Sequence, residues 1–173
     1  MDFRDLVKGP LEEYKAHLGR ALDDLSGADL RWQPKPGATH IQWLSWQIAR
    51  LEDRWVIGYV RGDEEVWVAR GWYEAFRLSR DAWGYGMTAD EVVGMPTVSV
   101  EQLRSYHEEV RAAAFEIIDS LTEADLETAH SEAPRNPDAP KPGPPVARAL
   151  AHLVAQQGQY TGNVRFIRGL LHP

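Results

Sequence analysis

Four long segments of this sequence place apolar residues at every third or fourth position, and this periodicity constrains the fold more than any other feature. Residues at that spacing share one face of an α-helix, so each segment predicts an amphipathic helix with one buried side. We number the predicted helices one to four along the chain, and they span residues 10–25, 40–61, 99–121 and 145–171.

Residues at the starts of these segments support the boundaries. Pro10 suits the first turn of helix one, and a shorter helical turn is expected before it, over residues 3–7. Thr39 is the expected N-cap of helix two, and Ser99 with Gln102 predicts a capping box for helix three. The residues expected to face the core are Leu11, Tyr14, Leu18, Leu22 and Leu25 in helix one; Ile41, Leu44, Ile48, Leu51 and Trp55 in helix two; Leu103, Tyr106, Val110, Ala113, Ile117 and Leu121 in helix three; and Val146, Leu150, Leu153, Gln157, Tyr160, Val164, Ile167 and Leu171 in helix four.

The connections between the helices indicate the topology. Residues 63–98 join helices two and three, and a link of this length favours a crossover over a tight hairpin. Within it, residues 64–72 alternate like a strand, but the stretch is short and bounded by glycines. The proline-rich residues 129–144 predict a mobile loop before helix four. We therefore predict one all-α domain over residues 1–173, a four-helix bundle with a long crossover between helices two and three.

A short sequence repeat is consistent with such a bundle. "LSGADL" at 25–30 follows helix one, and "LTEADL" at 121–126 follows helix three. In each, a Ser or Thr precedes an Asp by three positions, a pattern that caps a short turn. The repeat has two explanations: the two turns are capped in the same way independently, or the bundle consists of two related helical hairpins.

Composition limits the classes of function. No apolar run is long enough to cross a membrane, and the first residues lack the pattern of a signal peptide, so a cytoplasmic protein is expected. The chain has no cysteine, which excludes disulfides and cysteine-ligated zinc. The net charge is −7 without a Lys/Arg cluster, which argues against nucleic-acid binding because that binding rests on neutralising phosphates.

Helix four carries polar side chains where a bundle helix usually has apolar ones. Gln156, Gln157, Tyr160 and Asn163 fall on or beside its inward stripe. Buried polar groups need hydrogen-bond partners, so these residues predict the wall of a polar pocket inside the bundle.

Two stretches carry a resemblance to a known family. They are "PGATHIQWLSWQIARLEDRW" at 36–55 and "AHLVAQQGQYTGNVRFIRGLL" at 151–171. With the "GYG" turn at 84–86, and in this chain order, they resemble the DinB-like superfamily, which includes the thiol-dependent transferases and isomerases that use mycothiol or bacillithiol. The resemblance covers nearly the whole chain and implies a four-helix bundle.

The resemblance also implies a metal site. The family holds its metal with three histidines, one on helix two and two on helix four at positions i and i+4. The corresponding positions in this chain are Gln47, Gln156 and Tyr160. Imidazole binds zinc or nickel strongly, whereas an amide oxygen suits calcium at best and a protonated phenol is a poor ligand. We therefore expect a pocket that keeps its shape and holds no transition metal.

A displaced metal site, built from His40, His152 and one carboxylate, is the alternative. Structural roles also explain these residues: His40 as an N-terminal helix residue at the pocket rim, and His152 as a hydrogen-bonded, partly buried side chain. Glu52 and His107 are expected on solvated faces or in ion pairs.

Aromatic side chains offer a lining for the same pocket. The tryptophans of helix two and of the crossover either pack these segments together or line a concave ligand site. Arg50 and Arg54 are expected to form salt bridges with acidic residues, with a ligand carboxylate as the other possible partner. The pocket-lining candidates are His40, Trp43, His152 and Asn163.

Three functions remain open at this point. The first is a DinB-like protein without metal or cofactor that binds a small molecule or is a non-catalytic relative of the transferases. The second is a thiol S-transferase-like enzyme that works without metal or with a displaced metal, and takes a low-molecular-weight thiol as co-substrate. The third is a bundle that acts through protein contacts as a homodimer, because seven tryptophans offer more apolar surface than one bundle covers.

Overall fold

The computed structural model describes residues 2–130 and 143–171, and the described chain is helical throughout its regular parts. The elements are α1 (Phe3–Leu22), α2 (Gly27–Leu30), α3 (Ile41–Glu52), a π-helix over Asp53–Arg61 that continues α3, α4 (Val66–Ala69), α5 (Trp72–Phe76), α6 (Ala89–Val93), α7 (Val100–Ser120), a 3₁₀ turn over Ala124–Glu127, and α8 (Val146–Leu171). The one β pairing among these residues is an isolated bridge between Ala129 and Pro145. The predicted all-α fold is confirmed.

The four long helices form a closed ring in which each packs against two others. Helix α1 contacts α7 and α8, and α3 contacts the same two helices. The ends of α1 and α8 meet where Arg168 donates to Ala21 O, so these helices run parallel. The starts of α3 and α7 meet where Gln42 accepts from Val98 N, so these two also run parallel. Because α3 and α7 share a direction, the chain must travel back along the bundle between them, which explains the predicted crossover.

Helix α1 differs from its predicted bounds at both ends. It begins at Phe3, capped by Asp2, and runs through Pro10 without a break. Tertiary contacts stabilise these first turns, since Lys8 pairs with Asp119 at the end of α7 at 2.6 Å. The helix ends at Leu22, because Asp24 takes a positive φ of 60° that helical backbone cannot have.

The second long helix begins and ends with special geometry. Its N-cap is His40, not Thr39, and the imidazole accepts from Trp43 N. The last nine residues form a π-helix, which closes at Gly62 with a left-handed φ of 79°. The wider π turns are frequent near functional sites.

Capping explains the remaining short turns. Ser26 and Asp29 cap α2 reciprocally, as predicted, and Thr122 donates to Asp125 before the 3₁₀ turn. The Ser99 capping box on α7 is also confirmed. The predicted loop at 129–144 falls mostly outside the described residues. In the described part, no helix is long and apolar enough to cross a membrane.

Candidate functional site

The three positions that the resemblance assigns to a metal lie along the contact between α3 and α8. Gln47 on α3 is only 3% exposed, while Gln156 and Tyr160 on α8 are half-buried and one turn apart. Tyr160 packs edge-on against Trp43, with ring centroids 6.0 Å apart. We call Trp43, Gln47, Gln156 and Tyr160 the α3–α8 site.

Gln47 lies directly under the "GYG" turn. Gly84 has a φ of +86°, and a Cβ there would overlap Gln47 Oε1 and come within 3.0 Å of the Trp46 ring. Only glycine fits both this backbone conformation and this close approach. The turn therefore covers Gln47, while Gln156 and Tyr160 on α8 are only half-buried.

Three buried polar atoms on this face of α3 have no hydrogen-bond partner among the described residues. They are Trp43 Nε1, Trp46 Nε1 and Gln47 Oε1. Their spacing of i, i+3 and i+4 makes them neighbours on one helical face. A buried donor or acceptor without a partner costs about 1–3 kcal/mol. Gln47 Oε1 packs under the Gly84 turn, where no described donor reaches it.

The side chains at the site do not fit a transition metal. Two of the three are amides, and burial raises the pKa of Tyr160, which keeps its phenol protonated at neutral pH. In the described chain, no group of three or more His, Cys, Asp or Glu is placed to hold a metal ion. The three-histidine ligand set that the resemblance implies is therefore not present at these positions.

The other pocket-lining candidates do not join the site as a group. His40 is 1% exposed, and its two ring nitrogens face Trp43 N and Val92 O at 3.0 Å each. His152 lies against Trp55, with ring centroids 5.5 Å apart. Positions 40 and 55 are separated by about 20 Å along a helix, so His40 and His152 cannot share a metal. Asn163 is exposed on α8, so its predicted place on the inward stripe is wrong.

A second polar region, fully buried, ties α1, α3, α7 and α8 together at the centre of the bundle. We call it the Glu52 network, and its members are Glu52, His107, Arg111 and Gln157. Arg111 Nε and Nη2 donate to the two oxygens of Glu52 at 2.6 and 2.9 Å. Gln157 Nε2 donates to Glu52 Oε2 at 2.6 Å, and Arg111 Nη2 donates to Gln157 Oε1 at 3.1 Å. Arg111 Nη1 also donates to Leu11 O of α1 at 2.7 Å.

The surroundings of each ionisable group in this network determine its pKa. Burial alone would raise the pKa of Glu52, but the charge and hydrogen bonds of Arg111 hold the pKa at about 2. Burial lowers the pKa of His107. His107 Nε2 lies 3.2 Å from Arg111 Nη2 and 3.7 Å from Glu52 Oε2, so the ring faces both members of the ion pair. A solvated face or an ion pair was expected for Glu52 and His107; Glu52 is in an ion pair with Arg111, and His107 is 4% exposed beside that pair.

A third cluster fastens the crossover to the bundle. Arg50 donates to Asp53 at 3.0 Å and to Glu65 at 2.6 Å, so the predicted salt bridges of Arg50 are confirmed. Asp53 accepts from Val66 N and Trp67 N at 2.7 and 2.8 Å, and so caps α4. Trp67 is fully buried, in keeping with a packing role for a crossover tryptophan.

The α3–α8 site is thus suited to binding. With the neighbouring Trp46 it offers two amides, two indole N–H donors and a protonated phenol, and none of these groups is ionised at neutral pH. Such a set can orient a polar molecule by hydrogen bonds against aromatic surface.

Comparisons with known proteins agree with the architecture. The sequence matches the family described as the DinB superfamily over residues 11–160. The fold matches the crystal structure of a conserved protein from Enterococcus faecalis with a TM-score of 0.83 and 18% sequence identity, over 97% of this chain and 96% of that one. At this identity the likeness concerns the fold alone. No curated protein matches the sequence. Because the family match spans most of the chain, this protein belongs to the DinB superfamily.

Proposed function

We propose that this chain is a small-molecule-binding member of the DinB superfamily that works without a transition metal. The ligand is held at the α3–α8 site, in the place where metal-dependent relatives carry histidines. The observation that carries the proposal is the set of three unpartnered atoms, Trp43 Nε1, Trp46 Nε1 and Gln47 Oε1. Buried polar groups in a folded protein usually have partners, so an arrangement of three without one favours a ligand.

The same atoms indicate the chemistry of the ligand. Two indole N–H groups call for acceptors, and an amide oxygen calls for a donor. No charged side chain belongs to this set, so a neutral polar molecule suits it better than an ion. Gln156 and Tyr160 are half-buried and offer further hydrogen bonds to it.

The transferase alternative has less support. Without a metal, a thiol would need a general base at the site to become a nucleophile. Burial raises the pKa of Tyr160, so at neutral pH the phenol stays protonated and little phenolate is present to act as a base. His152 lies against Trp55, toward the other end of α3.

A homodimer in the cytoplasm completes the proposal. Phe166 is 67% exposed and Leu170 is 47% exposed, and at positions i and i+4 they form one apolar face near the end of α8. We expect light scattering to give a dimer, and Phe166→Asp to give a monomer. Leu6→Asp, a matched change at a residue 59% exposed near the start of α1, is expected to leave the dimer intact.

The test of binding is a ligand-observed NMR screen with neutral amides, lactams and alcohols. We expect hits that bind the wild-type protein and lose binding in Gln47→Leu, which keeps the shape of the side chain and removes the acceptor. Gln159→Leu is the matched control, because Gln159 is exposed on α8 next to Tyr160. A screen in which no hit distinguishes Gln47→Leu from the control would overturn the proposal.

A further inference from the structure

A cavity on the other side of α3 is independent of the α3–α8 site. It has a volume of about 250 Å³ and lies between α1 and α7, with Ser45 of α3 at its base. Leu18, Leu22 and Leu103 supply apolar walls. No residue of the α3–α8 site lines it.

The base of the cavity is polar and fixed. His107 lines the cavity and is only 4% exposed. Its Nε2 faces Arg111 at 3.2 Å and Glu52 at 3.7 Å in the Glu52 network, which holds the ring in one orientation. Ser45 Oγ donates to Ile41 O at 2.9 Å and so keeps its lone pairs for another donor.

The rim of the cavity carries charges of both signs. Arg104 and Asp23 neutralise each other at 2.6 Å. That pair leaves Lys15 on α1 and Glu108 on α7, and neither has an ion-pair partner in the part of the chain that the structure describes. One cation and one anion therefore stand at the mouth of an apolar cavity.

We propose that this cavity is a binding site for a small zwitterion of the amino-acid type. Its carboxylate lies toward Lys15, its ammonium group lies toward Glu108, and its aliphatic side chain packs against Leu18, Leu22 and Leu103. The pairing of one ligand charge with each rim charge leaves neither rim residue desolvated without a counter-ion.

Size limits the ligand further. Ordinary small-molecule sites measure about 300–1,000 Å³, so a cavity of about 250 Å³ is matched in size to a single amino acid. L-Leucine is the natural probe because its branched side chain matches the three leucines of the wall.

The experiment compares three probes that share this branched chain. Isothermal titration of the full-length protein is carried out with L-leucine, with 4-methylpentanoate, which lacks the ammonium group, and with 3-methylbutylamine, which lacks the carboxylate. We expect L-leucine to bind about tenfold or more tightly than either analogue. Equal affinity of one analogue would overturn the zwitterion assignment, and no binding of L-leucine at millimolar concentration would overturn the site.

Charge variants test the orientation. Lys15→Met is expected to weaken L-leucine and 4-methylpentanoate about tenfold and to leave the amine unchanged. Glu108→Gln is expected to weaken L-leucine and the amine and to leave the carboxylate unchanged. Lys35→Met and Glu116→Gln are matched controls at exposed positions outside the cavity. Both charge variants behaving like their controls would contradict the proposed contacts.

A blocking variant locates the site without damaging the fold. Gly19 lines the cavity, and a Cβ there meets nothing within 4 Å. Gly19→Leu therefore fills the cavity, and leucine is a better helix former than glycine. We expect loss of L-leucine binding with no drop in melting temperature. Gly162→Leu is the control, an exposed glycine of α8 with equally open surroundings. Unchanged binding in Gly19→Leu would place the ligand elsewhere and overturn the inference.

Discussion

Two consecutive glutamines of α8 belong to two different polar regions. Gln157 is fully buried and joins the Glu52 network, where its amide donates to Glu52 and accepts from Arg111. Gln156 is half-buried at the α3–α8 site, whose buried neighbour Gln47 has an oxygen without a partner. Two adjacent residues of α8 thus belong to regions of opposite kind. The polar groups of the Glu52 network are hydrogen-bonded, and we call it the saturated region; the α3–α8 site contains polar atoms without partners, and we call it the unsaturated region.

The difference indicates that the Glu52 network stabilises the fold and that the α3–α8 site is available for binding. In the Glu52 network, three helices contribute side chains and α1 contributes the carbonyl of Leu11, so the register of all four long helices is fixed at one point. A network with every member bonded specifies a structure and has little left to offer a ligand. The α3–α8 site leaves donors and acceptors open, which suits binding.

The largest effect is expected from breaking the saturated region. Glu52→Ala leaves the guanidinium of Arg111 buried without its carboxylate, and breaking a buried pair in this way costs about 3–5 kcal/mol. Urea denaturation measures the change in the free energy of unfolding. Asp119→Ala is the control, because Asp119 pairs with Lys8 at the surface and is 54% exposed. An exposed pair contributes about 1 kcal/mol or less, and equal losses in the two variants would show that the network is not the centre of stability.

The α3–α8 site can be tested by placing histidines at the three positions that the resemblance assigns to a metal. We expect Gln47→His, Gln156→His and Tyr160→His, made together, to create zinc or nickel binding, and the single changes not to. A metal present at one hundred times its Kd stabilises a protein by about 2.7 kcal/mol, which thermal unfolding with and without the ion detects.

The matching control is the wild-type protein. After mild chelator treatment of the untagged chain, elemental analysis is expected to find no stoichiometric zinc or nickel. Metal retained there would mean that ligands other than Gln47, Gln156 and Tyr160 hold it.

The fold could be predicted because its signals are local. The stripes that begin with Leu11, Ile41 and Leu103 are buried as their periodicity predicts. Capping residues such as Ser99 act within one turn, so their effect is visible in a short stretch of sequence. A helical turn over residues 3–7 was predicted separately from helix one, and the structure joins the two through Pro10. Tertiary contacts such as Lys8–Asp119, which no local pattern contains, stabilise this junction.

The Glu52 network could not be predicted because its members are far apart in the chain. Glu52 and Arg111 meet only after α3 and α7 pack, and each alone resembles an ordinary surface charge. A signal was present, since Glu52 falls on the same helical face as the buried Ile41 and Ile48. Gln157 was placed in the seam from periodicity, but its partners required the structure.

Glutamine-to-leucine substitutions, one in each region, compare the Glu52 network with the α3–α8 site directly. Gln157→Leu removes hydrogen bonds to Glu52 and Arg111 and leaves both less satisfied, so a loss of about 1–3 kcal/mol is expected. Gln47→Leu removes an acceptor that has no partner, so its effect on the free energy of unfolding is expected to be close to zero or slightly stabilising. Similar losses in both variants would indicate that Gln47 is bonded in the folded protein.

The smallest effect is a pH dependence that comes from the saturated region. Burial lowers the pKa of His107, and Arg111 and Lys15 add to this while Glu52 opposes it. The unfolded chain therefore binds a proton at His107 before the folded protein does. Its contribution to stability is complete above the ordinary histidine pKa of about 6.5 and is lost as the pH falls through the lower folded value.

The expected slope for one such group is up to about 1.4 kcal/mol per pH unit, starting near pH 6.5 and continuing downward. His107→Asn removes the titrating ring, so the difference in unfolding free energy between wild type and variant should shrink as the pH falls from 7 to 5. The comparison cancels other groups that titrate in both proteins, including Asp53, whose pKa burial raises. Urea titrations at several pH values supply the measurement. A difference that stays constant over this range would mean that folding does not lower the pKa of His107.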